Sequence, residues 1–355
     1  MSKFPTYARC RLILGMANVG FWVCLSSLAL SLDWPSHLFA TQSLTGFKLL
    51  MALAPFLAGY ILLQAPFDML GGVVLPILFR RLGESMDDYI ISWLRGVFVQ
   101  TVIFLAIAWS WLSFPTFLRE LMVGWMTILL LFQLPLAWIV GVFYLRSSNA
   151  WKSLDDAFTG GVVGFPGMQS VIFATGRGPR VRAIDERRRR HLQKMGLANA
   201  GIVIAVTFNL IGFLLISTVT NSSSVAGLVE MVLWFTIWSF LGLLILPSLS
   251  RPAVYTADYV LYAKGMARDE FVSYVQGDPS QAGEETRSSW VERIFHPVPS
   301  VSNRVARWGR LPRWSGGWHA ARYALFLSWA GLSLINRAVH CNVGKPNVWV
   351  MPPCD

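Results

Sequence analysis

Apolar stretches of about twenty residues recur along this chain, and no other feature limits its fold as strongly. A stretch of that length crosses the hydrocarbon core of a bilayer as one helix, with its backbone polar groups satisfied internally. Six are legible: Leu12–Leu32, Gly46–Gln64, Gly96–Phe114, Leu121–Leu145, Ala198–Ser217 and Val225–Leu249. The residues are 54% hydrophobic and only 14% charged, against about 25% charged in a soluble domain. The predicted fold is an all-α multi-pass membrane protein with six transmembrane helices. A seventh apolar segment, 320–335, is short and flanked by Arg322 and Arg337. It reads better as a helix packed on the membrane face than as a span.

Charge sets the expected orientation. The net charge of +11 raises the question of nucleic acid or anionic lipid. The basic residues, however, crowd the N-terminus, the loop after the second stretch, the long segment after the fourth and everything after the sixth. The loops after the first and fifth stretches carry no Lys or Arg, and the one after the third has only Arg119 beside Glu120. That alternation is the positive-inside pattern, and it puts both termini in the cytoplasm. Membrane lipids are then expected partners and nucleic acid is not; a bacterial inner membrane is the expected setting. The first stretch lacks a small-x-small cleavage site after it and reads as a retained signal anchor.

Four regions follow: 1–145 with spans one to four, a basic cytoplasmic segment 146–197, spans five and six at 198–249, and a cytoplasmic C-terminal region 250–355. The two cytoplasmic pieces should form a helical half-domain. Pro66 with Gly71-Gly72 predicts a kinked or broken helix after the second stretch, and Gly83–Trp93 reads as a short interfacial helix. Val171–Ala174 has the composition of a strand. Ser250-Arg251-Pro252 should end the sixth span, with a separate helix in Ala253–Val275.

Several polar residues stand out against this background. Glu230 lies inside the sixth stretch, where an ionisable group is a functional candidate or an interfacial one. Asn209, in the fifth, has the character of interhelical glue. Asp68 either caps a broken helix or pairs with an arginine. Arg187, Arg188, Arg189 and Arg190 are either a topogenic cluster or a contact for lipid or an acidic protein segment. The four cysteines have no C-x-x-C spacing, and no two of the five histidines are four apart, so no metal site is expected.

Four phrases, in order, resemble the CAAX prenyl protease family of integral-membrane zinc metallopeptidases and its HtpX-like bacterial relatives. They are Pro66-Phe67-Asp68 with Leu82-Gly83-Glu84-Ser85; Arg182–His191 leading into a span; Ser250-Arg251 with Ala257-Asp258 and Gly265; and Phe295-His296-Pro297 with Arg304. The resemblance covers roughly Ala65–Arg304 and implies a membrane-metallopeptidase-like scaffold. It also implies where a site would lie, and there the pattern fails. With His191 on a histidine that the family carries later in the same segment, Arg182 and Glu186 fall on the two ligand histidines of H-E-x-x-H, Ala183 on the general base and Val254 on the third ligand. Asp258 keeps the type of a residue the family uses behind its metal ligands. Arginine and valine do not ligate zinc. The resemblance therefore implies a degenerate former site at Arg182, Ala183, Glu186, His191, Val254 and Asp258, with no catalytic residue, no metal and no cofactor. The expected function is a catalytically inactive binding, regulatory or structural subunit whose partner is another membrane protein or a peptide segment. The alternatives are an active zinc metallopeptidase with an atypical site, built on His296, His319, His340, Cys341 and Asp258, and a transporter.

Overall fold

The computed structural model describes residues 5–42, 44, 46–80, 85–113, 159–162, 172–174, 179–220, 223–277, 285–328, 333–340 and 342–346. The expected fourth span, Leu121–Leu145, lies outside them. Among the described residues, five helices are long and apolar enough to cross a membrane: Tyr7–Ser31, Gly46–Leu78, Met86–Ala106, Asn199–Ser217 and Val225–Ala263. This marks the chain as a helical membrane protein.

Helix α1 (Tyr7–Ser31) begins where the Thr6 hydroxyl accepts from the Arg9 amide at 3.3 Å, a serine/threonine cap on an otherwise orphaned donor. A five-residue helix, α2 (Trp34–Leu38), leads to α3 (Gly46–Met69). Helix α3 continues through Pro55 and Pro66 without breaking at either. The irregularity comes later, as a π-helical turn at Leu70–Val74 before α4 (Leu75–Leu78). Gly71 and Gly72 sit in that turn because the tail of the chain presses on them: a Cβ on Gly72 would collide with the Gly344 carbonyl and the Tyr89 ring. Helix α5 (Met86–Ser113) is continuous, so the expected interfacial helix and third span are one element. A small ladder pairs β1 (Thr159–Val162) with β2 (Ile172–Ala174) antiparallel, the one departure from an all-α chain among the described residues; it includes the expected strand.

Helix α6 (Pro179–Lys194) meets α7 (Leu197–Ser217) at Gly196, whose φ of +68° makes the elbow between them. Ser224 caps α8 (Val225–Ala263), 39 residues long. The expected stop at Ser250-Arg251-Pro252 is overridden, and the boundary at 249/250 falls inside the helix. Prolines 247 and 252 each remove one backbone donor. Burial of Leu246, Pro247, Ser250, Ala253, Val254 and Ala257 on both sides of them holds the helix together, since packing outweighs local propensity. Short helices α9 (Arg268–Gln276), α10 (Ser289–Phe295) and α11 (Val301–Ala306) follow.

The ends of the bundle differ. One holds Arg9, Arg11, Arg80 and Lys194, the starts of α1, α5 and α7 and the end of α4; this is the basic end. The far end packs Leu49, Leu53 and Leu57 of α3 against Phe104 and Trp111 of α5, Phe213 of α7 and Phe235 of α8. The described residues of the segment 320–335 form neither a span nor a surface helix. Helix α12 (Ala320–Ser328) starts at the basic end, where the Trp318 amide donates to the Leu197 carbonyl at 2.9 Å. It passes inward between α7 and α8, burying Ala320, Tyr323 and Ala324. Residues 333–346 return to the basic end, touching Thr236 and Tyr60 first and Gly71 last. From Tyr60 to Gly71 is about 16 Å along α3. The tail thus forms two limbs inside the bundle.

Candidate functional site

The latter part of α8 and α6 lie antiparallel. Ile184 packs with Leu261 and Phe271, and Leu192 with Ala253 and Ala257. Between these contacts sits Asp258, only 3% exposed. Arg304 of α11 grips its carboxylate bidentately: Nε donates to Oδ2 at 2.8 Å and Nη2 to Oδ1 at 2.8 Å. Arg188 of α6 adds Nη2 at 3.4 Å from Oδ1 and lies over the Trp318 ring, 5.1 Å from its centroid. Arg304 also covers the Phe271 ring at 5.6 Å. The fork geometry of guanidinium on carboxylate is the strong form of the pair.

Local sequence explains how Arg304 arrives. The run His296-Pro297-Val298-Pro299 leads into Ser300, whose carbonyl accepts from the Arg304 amide at 3.0 Å. Upstream, the Glu292 carboxylate accepts from Asn303 Nδ2 at 2.8 Å, and the Glu292 carbonyl accepts from Arg251 Nη1 at 2.9 Å. Arg251 is therefore occupied by α10, and Asp258 is held by Arg304 and Arg188. His296 is buried with its ring centroid 4.9 Å from that of His340. Burial first, then the positive fields of His340 and Arg287, push its pKa down to about 2. His191 is shifted down by burial and by Lys264, Lys194 and Arg187.

Of the residues singled out for the degenerate site, Asp258, Val254 and the α6 helix come together. Val254 is buried and Ala183 exposed. The side chains of Arg182, Glu186 and Arg189 lie outside the described residues. The basic run divides: Arg188 turns inward to Asp258 while Arg187 and Arg190 are exposed. A zinc ion of the kind the resemblance implies does not fit here. Val254 and Ala183 offer no donor atom, and two guanidinium groups already neutralise Asp258. Among the described residues no group of three or more His, Cys, Asp or Glu could hold a metal. Of the atypical set proposed from sequence, His296 and His340 are neighbours, His319 packs on Trp318, and Cys341 lies outside the described residues.

A second cluster escaped the sequence. Trp22 Nε1 donates to Gln64 Oε1 at 2.8 Å, Gln64 Nε2 to Asp68 Oδ1 at 3.0 Å, and Trp93 Nε1 to Asp68 Oδ2 at 2.9 Å. Asp68 accepts within the bundle from Gln64 and Trp93. Close by, Arg337 Nη1 donates to the Tyr60 hydroxyl at 2.7 Å, which donates to the Leu334 carbonyl at 3.2 Å. Arg11 clamps the returning limb, donating to the carbonyls of His340, Gly71 and Val343 at 3.2, 3.0 and 2.7 Å. Two signals were available: an aspartate amid apolar residues, and Asn336-Arg337 closing an apolar segment. Asn209 acts as interhelical glue, donating to the Ala324 carbonyl at 3.0 Å. Glu230, on the second turn of α8, is half-buried and bonded to Trp234, near the far end of the bundle.

No protein-family model matches the chain, and neither a curated protein nor a solved structure is similar to it.

Proposed function

We propose that this protein is a non-catalytic, metallopeptidase-like integral membrane protein that works by binding another membrane protein or peptide segment. The observation that carries the reading is the Asp258 cluster. At the place the resemblance assigns to metal chemistry, a buried carboxylate is saturated by Arg304 and Arg188, with Val254 one turn away. Such an arrangement can hold α6, α8 and α11 in register. With both oxygens engaged by guanidinium groups, the Asp258 carboxylate is not free to act as a metal ligand or a general base. Phrases far apart in sequence, Arg182–His191, Ser250–Asp258 and His296–Arg304, supply the three sides of the cluster, as a shared scaffold requires.

The same reading takes six spans, with the basic end in the cytoplasm of a bacterial inner membrane. Helix α5 ends at the far end and α6 begins at the basic end; a span at Leu121–Leu145 supplies that parity. The test is quantitative mass spectrometry of the affinity-purified protein from membranes in mild detergent, run beside a peptidase assay. A membrane protein recovered near one-to-one, with no cleavage, supports the proposal. Cleavage abolished by a chelator and restored by zinc overturns it.

A further inference from the structure

Between α11 and α12 the chain forms a strap whose chemistry is that of a membrane interface. Residues 307–317 carry Arg307, Arg310 and Arg313 and no acidic residue. Leu311 and Trp314 alternate with the arginines and are 62% and 51% exposed; Arg310 and Arg313 are exposed as well. The strap is fixed at both ends. Gly309, with φ +79°, lies against the Tyr262 ring, and Gly316, with φ +64°, leaves no room for a Cβ beside the Leu249 carbonyl. The Gly317 amide donates to that same carbonyl at 3.1 Å, and the Trp318 amide to Leu197. The strap thus climbs about 20 Å along α8 and arrives where α7 enters the apolar part of the bundle. The elbow between α6 and α7 lies beside its upper end, with Lys194 and Met195 exposed.

We propose that the upper part of the strap binds anionic phospholipid at the basic end, with the Arg313 guanidinium on a headgroup phosphate and Trp314 at the acyl boundary; Arg310 and Leu311 lie further down α8, beyond the headgroup layer. Arginine pairs with phosphate bidentately, tryptophan is the interfacial anchor, and the position at the mouth of α7 supplies the headgroup depth. This inference needs only the membrane helices and stands apart from the metallopeptidase-like reading.

The probe is phosphatidylglycerol, bound to the detergent-purified full chain and followed by native mass spectrometry. One arginine near an anionic surface is worth about five-fold in affinity, so Arg313→Gln should weaken phosphatidylglycerol binding about five-fold. Arg313→Lys should retain most of it, and so should Arg310→Gln, further down α8, and Arg9→Gln, at the start of α1. Trp314→Ser should weaken phosphatidylglycerol and phosphatidylcholine alike. Unchanged phosphatidylglycerol affinity in Arg313→Gln, or an equal loss in Arg310→Gln or Arg9→Gln, overturns the proposal, because the binding would then be diffuse charge.

Discussion

Replacing Arg304 by methionine keeps most of the side chain's length and removes both donors to Asp258. The carboxylate, 3% exposed, then keeps only Arg188 Nη2 at 3.4 Å. Removing one partner of a buried pair costs about 3–5 kcal/mol, chiefly through the charge left uncompensated. The surviving Arg188 contact places Arg304→Met near the lower bound, at about 3 kcal/mol. Asp258→Asn should cost a similar amount for the mirror reason, since it leaves Arg304, 2% exposed, without its counter-ion. The double variant removes both charges from the pair, so it should cost less than the sum, with a coupling of about 2 kcal/mol. Unfolding free energies in mixed dodecylmaltoside–SDS micelles measure all four corners of the cycle. An Arg304→Met protein within about 0.5 kcal/mol of wild type, the range of an ordinary surface substitution, would refute the idea that this pair ties α11 to α8.

Three further outcomes follow from the same contacts. Trp93→Phe keeps the ring but removes the donor to Asp68 Oδ2, and should cost about 1–3 kcal/mol for the unsatisfied acceptor in the same unfolding assay. Gly72→Ala meets the Gly344 carbonyl, whereas Gly20→Ala meets nothing; the first should lower the melting temperature and the second leave it unchanged or raise it. His296 has a folded pKa of about 2 against an ordinary 6.5, so the folded chain binds fewer protons than the unfolded one. Its contribution is full above pH 6.5 and is lost as pH falls, by about 2 kcal/mol at pH 5. When stability is measured from pH 7.5 to 5, His296→Gln should make that acid slope shallower without abolishing it, because the neighbouring His340 is shifted down as well.

The spans were legible because hydrophobic length is a local property. Tyr7–Ser31 and Val225 onward can be read from the residues alone. What was not legible depends on contacts between distant residues. The sequence rule for proline ends α8 at Pro252, and only the packing of Ala253, Val254 and Ala257 explains why it continues. The same holds for the tail. Ala320–Ser328 is too short to span by composition, yet Asn209, Thr236, Tyr60 and Arg11 supply polar partners that let its two limbs enter the bundle. Asp258 was visible as a lone carboxylate on a helix. Its partner, Arg304, lies 46 positions on, and no periodicity links the two. The Trp22–Gln64–Asp68–Trp93 chain joins three helices, so no single stretch displays it.

Metal content per chain tests the central claim most directly. The full-length protein, purified in detergent and dialysed after mild chelation, would be analysed by inductively coupled plasma mass spectrometry. A site whose carboxylate is already neutralised by Arg304 and Arg188 predicts zinc far below one equivalent, unchanged in Arg304→Met. One zinc per chain, retained through chelation, would contradict the account and assign the protein a metal chemistry that Asp258, Val254 and Ala183 do not explain.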